Sequence, residues 1–291
     1  MTADAFLKAY ADAGLYTMQG RLSAPENGRF QSFPRNHWRT EIERAPQVPL
    51  RGIEWIYDLY GSGANPLETA EGRADLRQQL TASGVSVVSI CADYFMDRPF
   101  VRVSREECLQ RRENLAWLIS ICPEMGIGRI VLPFVDASRI ADAADASVVL
   151  ECLRGALPQA EAAGVELHLE TDLDPLRFRA LLDNVPHPLV KVNYDSGNSG
   201  SLGYRPQDEF AAYGSRIGSF HIKDRALGGG TVPLGSGNVN FTELRQCLLD
   251  VDYRGDFVMQ VARGASGNEV DWLREASATA CGWLRGDATL K

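Results

Sequence analysis

The chain is short of histidine and of positive charge. It has four His, and 30 Lys plus Arg against 38 Asp plus Glu, for a formal net charge of −8 over 291 residues. That deficit argues against a nucleic-acid partner, because phosphate backbones are bound by an excess of Lys and Arg on one face. A small anionic substrate remains open, since it needs only a few local cations. Long apolar runs are missing too, and none approaches the roughly 20 residues of a membrane helix. The start, Met1 to Lys8, lacks the basic-then-apolar order of a secretory signal, so no membrane and a cytoplasmic location are expected. No Cys-x-x-Cys pair occurs. The six cysteines (91, 108, 122, 152, 247 and 281) are widely spaced in apolar surroundings and read as reduced core thiols. Linkers, charge blocks and low-complexity segments are absent, so residues 1–291 are expected to form a single domain.

What is present is an alternation of strand and helix. Strands are predicted over Leu15 to Gln19, Gly52 to Tyr57, Val85 to Cys91 and Arg129 to Phe134. The second half gives Val165 to Glu170, Val190 to Asp195, Ile217 to Ile222 and Phe257 to Val261. Most are short continuous apolar runs, as in strands covered on both faces. Helices are predicted over Gly72 to Ser83, Arg105 to Met125, Ala146 to Ala163, Phe241 to Leu249 and Glu269 to Leu284. Gly84, Gly126, Gly164 and Gly255 read as helix-ending glycines before the next strand. Eight such units in a chain of this length predict a single (β/α)8 TIM barrel. A doubly wound sheet competes, but no Gly-x-Gly-x-x-Gly follows the first strand. The stretch from Gly20 to Trp38 is the longest irregular insertion, and a loop there would cover the catalytic face.

Single acids and a histidine close consecutive strands: Glu170, Asp195 and His221. Delivered to one end of a parallel barrel, two carboxylates and an imidazole form a divalent-metal ligand set at the end where barrel active sites lie. Strand alternation adds Gln260 from the eighth strand, giving Glu170, Asp195, His221 and Gln260. Mn2+, Mg2+, Co2+ or Zn2+ suits this mixture. Candidate cations for a substrate phosphate or carboxylate are Arg21, Lys191, Lys223, Arg225 and Arg263, with Lys223 and Arg263 beside the ligands. Each residue also has a plain structural reading. His168 fits a hydrogen-bonded core histidine, Lys191 an internal ion pair with Glu166, and Asp224 a partner for Lys223 or Arg225.

Three motifs carry a resemblance. Asp195-Ser196-Gly197-Asn198 follows the sixth strand, His221-Ile222-Lys223-Asp224 closes the seventh, and Val232-Pro233-Leu234-Gly235-Ser236-Gly237-Asn238-Val239-Asn240-Phe241 follows it. Together they resemble the xylose-isomerase-like superfamily of sugar and sugar-phosphate isomerases and epimerases, and within it the pentulose-phosphate 3-epimerase branch. The resemblance implies a metal-dependent barrel in which Glu170, Asp195 and His221 are ligands and Glu170 is also an acid/base. It places Asn198 in the substrate turn and Lys223 with the catalytic groups, and it makes a homo-oligomer a further expectation. The superfamily's fourth ligand and second acid/base is a glutamate, where this chain has Gln260. An amide can coordinate through oxygen but cannot exchange a proton at neutral pH.

The expected activity is therefore enediolate proton transfer on a ketose or ketose phosphate, with a sugar or sugar phosphate as the small-molecule partner. The alternative is a lyase that dehydrates a keto-sugar or keto-cyclitol at the same site. An apurinic-site endonuclease, whose multi-zinc site consumes many histidines, fits poorly, and an inactive barrel is the remaining reading. If Gln260 is not an acid, the second proton group must come from elsewhere, and Glu54, Asp58, Asp93 and Asp224 are the candidates.

Overall fold

Ten strands are present in the computed structural model, which describes residues 1–265, 267–287 and 290. They are β1 (Leu15–Met18), β2 (Leu50–Ile56), β3 (Ser86–Cys91), β4 (Arg129–Phe134), β5 (Glu166–Thr171), β6 (Val190–Asp195), β7 (Ile217–Ile222), β8 (Asp224–Arg225), β9 (Thr231–Val232) and β10 (Asp256–Met259). Eight of them close a barrel in the order β1-β10-β7-β6-β5-β4-β3-β2, and every pairing between neighbours is parallel. The single (β/α)8 barrel expected from the alternation is the fold. β8 and β9 form a small antiparallel hairpin in the glycine-rich segment after β7, which the sequence reading leaves as loop.

The strands form because their side chains are covered twice, by the barrel interior and by the helices outside. All six residues of β4 are buried, for example. Helix starts are fixed by side-chain caps. Ser104 and Glu107 make a reciprocal capping box on Arg105–Met125, and Asp142 accepts the Asp145 amide at the start of Ala143–Ala163. Gly84, Gly126 and Gly164 end their helices at φ of 70°, 69° and 66°. Gly255 differs from expectation. Its helix stops at Asp250, the positive φ falls on Asp252, and Gly255 is small because a Cβ there would lie 2.3 Å from the Gly218 carbonyl oxygen.

Outside the barrel the core is aromatic. Phe220 and Phe257 lie 5.4 Å apart between ring centroids and pack under Trp283, whose indole N–H donates to the Phe241 carbonyl at 2.7 Å. The N-terminal helix Ala3–Asp12, not predicted from the sequence, packs on the last helix, Glu269–Arg285.

Register decides what meets at the carboxyl end. Asp195 pairs with His221, His221 with Val258, and Glu170 with Pro133. The ends of β5, β6, β7 and β10 therefore open onto one mouth, with the long insertion after β1 laid across it.

Candidate active site

Glu170, Asp195 and His221 each offer a ligand atom, and these atoms all lie within 4.8 Å of one another. All three side chains are buried. His221 Nε2 stands 2.7 Å from Glu54 Oε1, and Ser89 Oγ donates to the other Glu54 oxygen at 2.6 Å. A carboxylate there accepts the Nε2 proton and leaves Nδ1 facing Glu170 Oε2 at 3.2 Å and Asp195 Oδ2 at 3.9 Å. Among the described residues, His221 Nδ1 is a buried atom with no hydrogen-bond partner. Three potential ligand atoms converge here, an arrangement that suits a cation. Burial lowers the His221 pKa, but the Glu54 and Glu170 carboxylates outweigh it and raise it to about 10. Without an ion the ring thus carries a proton on the Nδ1 side, and a metal cation would take that proton's place. Two carboxylates and an imidazole are a fitting donor set for Mg2+, Mn2+, Co2+ or Zn2+.

Neighbouring amides aim the carboxylates. Asn193 Nδ2 donates to Glu170 Oε2 and Asn198 Nδ2 to Glu170 Oε1, both at 2.8 Å. Asp195 Oδ1 accepts the Asn198 amide at 2.8 Å, capping the short helix Ser196–Leu202. That helix must carry Gly197, since a Cβ there would lie 2.5 Å from Lys223 Cγ. Lys223 Nζ stands 3.2 Å from Asp195 Oδ2 and 3.0 Å from Gln260 Oε1, bridging the two. Gln260, just past β10, spends its amide N–H on Gln31 Oε1 at 2.7 Å. Gln31 comes from the insertion after β1. It also accepts from Arg21 Nη2 at 3.2 Å and donates to Asp93 Oδ2 at 2.8 Å.

A cavity of ≈ 170 Å³ opens beside these groups, lined among others by Asp93, Glu170, Asn198, Lys223, Arg225 and Gln260. Arg225 reaches it from the hairpin and donates to Asn198 Oδ1 at 2.8 Å and to the Gly229 carbonyl at 3.0 Å. The other candidate cations lie elsewhere. Arg263 donates to the Phe30 and Ser23 carbonyls and so pins the insertion. Arg21 is buried beneath it and donates to the Val261 carbonyl at 3.0 Å; burial and the charge of Arg263 bring its pKa down to about 9. Lys191 shares the strand face of Asp195 but sits at the start of β6, where it pairs with Glu166 at 2.5 Å at the opposite end of the barrel. His168 is the core histidine, between Glu166 and Ser219.

Three of the four acids considered for the second proton group are occupied. Glu54 holds His221. Asp58 accepts the Phe33 and Gly61 amides at 2.9 and 2.7 Å. Asp224 accepts the amides of Gly235, Gly237 and Val239 and so folds the glycine-rich loop, not the pair with Lys223 or Arg225 that its position suggested. Gln31 is a residue that sequence reasoning missed. Its only signal was membership of a long loop on the catalytic face.

Comparison with known proteins bears on the fold. The model of the family described as "Xylose isomerase-like TIM barrel" matches residues 24–285. The 2-epi-5-epi-valiolone 7-phosphate 2-epimerase of Actinoplanes sp. is 26% identical over 255 residues, spanning 82% of this chain and 90% of that one. Among solved structures, a xylose isomerase-like TIM barrel protein from Mycobacterium smegmatis in complex with magnesium superposes with a TM-score of 0.70 at 19% identity, covering 95% and 98% of the two chains. D-psicose 3-epimerase from Clostridium cellulolyticum H10, solved with D-tagatose, gives 0.64 at 16% identity, covering 95% and 96%.

Proposed function

The chain belongs to the xylose isomerase-like TIM barrel family, and from that premise we propose a metal-dependent epimerase or isomerase acting on a ketose, a related cyclic ketone, or its phosphate. The observation that carries the reading is the unpartnered Nδ1 of His221 facing the Glu170 and Asp195 carboxylates while Nε2 is tied to Glu54. Glu170, Asp195 and His221 would hold the divalent ion, with the Gln260 amide oxygen as a fourth donor. Bound there, the ion would offset the negative charge that develops on the substrate oxygens as the carbon-bound proton leaves.

This chain's own groups do the rest. Glu170, with its oxygens aimed by Asn193 and Asn198, removes and returns the proton α to the carbonyl. Lys223, buried beside Asp195 and Gln260, donates to a substrate oxygen in the cavity. Arg225 is the cation placed for an anionic group at its mouth. The relatives support the substrate class: the Actinoplanes enzyme is named for a phosphorylated ketone, and the psicose epimerase was solved with a ketose. A dehydratase remains the second reading, favoured by Gln260, which leaves the eighth-strand position without a proton.

The test is metal content, by mass spectrometry, of wild type, His221→Ala and Glu54→Gln, followed by α-proton exchange of ketoses in deuterium oxide. About one divalent ion per chain is expected in wild type and none in His221→Ala. Glu54→Gln is expected to bind metal roughly 10–100-fold more weakly, because the amide orients the ring less firmly. A wild-type protein that takes up no metal and exchanges no ketose proton overturns the reading.

A further inference from the structure

Proton transfer at one face of a planar enediol explains exchange, but inversion needs a second group, and Gln260 cannot supply it. Asp93 is the acid among the four candidates that remains on the cavity wall. It stands two residues past the end of β3, in the turn that opens the short helix Tyr94–Asp97. β4 lies between β3 and β5 in the barrel, so Asp93 and Glu170 reach the mouth from strands on either side of it. Both line the same cavity, where a substrate carbon would sit between them.

The polar chain across the mouth has one direction. Gln260 Nε2 donates to Gln31 Oε1, and Gln31 Nε2 donates to Asp93 Oδ2. Arg21 Nη2 also donates to Gln31 Oε1 and so fixes which end of the amide faces which neighbour. A glutamate at 260 would set oxygen against oxygen. The same chain that requires an amide at 260 ends on an acid at 93. Among the described residues, Asp93 Oδ1 accepts only the weak Cys91 S–H donor, at 3.1 Å. Its surroundings suit proton exchange: burial, with the charges of Asp58 and Glu170, outweighs the Gln31 and Cys91 hydrogen bonds and pushes its pKa up to about 6. The charged and titratable groups around it are Cys91 at the end of β3, Asp58 beyond β2, Glu170 on β5, Arg21 through Gln31, and Asp136, Lys223 and Arg225 on the same cavity wall.

We propose that Asp93 is the second acid/base of this enzyme, serving the face of the substrate opposite Glu170; this rests on the function proposed above. In one direction Glu170 takes the α-proton. The C–H electron pair becomes the C=C bond, and the carbonyl pair moves onto oxygen. When the carbonyl re-forms, the C=C pair takes the proton of Asp93 O–H on the other face. Asp93 is left ionised and Glu170 protonated, and exchange with solvent after product release restores both. Gln31 is a positioning residue, because it touches Asp93 and Gln260.

Asp93→Asn tests this directly, since an asparagine oxygen still accepts from Gln31. Metal-loaded wild type and variant are compared in deuterium oxide on D-fructose, D-tagatose and L-ribulose 5-phosphate, following both isotope uptake and epimer formation by NMR. The expected result is exchange kept through Glu170, inversion reduced about 10²–10⁴-fold, and KM changed only a few-fold. Difference infrared spectroscopy of the protein without substrate should show a carboxyl titrating near pH 6 in wild type and missing from Asp93→Asn. Inversion within threefold of wild type, or loss of exchange together with inversion, overturns the assignment while leaving the proposed function standing. So does a missing infrared band. A wild type that exchanges no ketose proton overturns both.

Discussion

A carboxylate and a carboxamide of equal length differ by two N–H donors, and at position 260 that difference reorganises the mouth of the barrel. With Gln, the donor at Nε2 meets Gln31 Oε1 and the oxygen meets the Lys223 ammonium. With Glu, Gln31 would have to turn over, setting its oxygen against Asp93 and its nitrogen against Arg21. Gln260→Glu is therefore expected to pull in two directions. The added negative charge should tighten divalent-metal binding roughly tenfold. The frustrated Gln31 should lower apo stability by about 1–3 kcal/mol, the cost of buried polar groups left unpaired. Calorimetric metal titration and urea unfolding of the apoprotein measure the two effects separately. A variant as stable as wild type would mean that Gln31 turns over without cost. Epimerisation that appears or accelerates in this variant would mark the missing acid at 260 as the limit on the native chemistry.

At the scale of the element, the strands were legible because most are short apolar runs. β4, β6 and β7 fall on their expected bounds. The same alternation that collected Glu170, Asp195 and His221 also gathered Lys191, because periodicity gives the face of a strand and not the depth along it. Helices carried by tertiary contacts were not legible. Ser196–Leu202 reads Ser-Gly-Asn-Ser-Gly-Ser-Leu, a poor helix former, and is held by the Asp195 cap and by burial. The insertion after β1 has no periodicity at all; a buried carboxylate organises it. Glu41, on the helix Trp38–Arg44, accepts the Gly20 and Leu22 amides at 2.6 and 3.0 Å and the Ser23 hydroxyl at 2.5 Å. Glu41→Ala would strand three buried donors. The expected cost is about 3 kcal/mol or more in urea unfolding, with KM raised more than kcat is lowered, because Gln31 and Phe30 hang from the same segment. Stability within 1 kcal/mol of wild type would show that another contact anchors the insertion.

For the whole molecule, a site of buried acids in a chain of net charge −8 has a stability consequence that depends on pH. The Asp93 carboxyl is held at about 6 in the fold against an ordinary 3.8 when exposed. A carboxyl raised in the native state favours the protonated form there, so the folded protein binds more protons than the unfolded chain between those two values. Stability contributed by this group is thus greatest below about pH 4 and is lost as pH rises through about 6. The full difference is about 3 kcal/mol. Asp93→Asn carries no such charge, so its apo stability should fall less than that of wild type across the interval. At pH 8 the variant should be the more stable protein, although its inversion chemistry is gone. Urea unfolding of both apoproteins from pH 4 to pH 8 measures this as the gap between two curves, with Glu41 and the other acids common to both. Curves that diverge between about pH 4 and pH 6 and run parallel above fit a fold that gives up stability to keep an acid poised at its catalytic mouth. Parallel curves would mean that Asp93 titrates as an ordinary solvated carboxylate, with no proton to deliver near neutral pH.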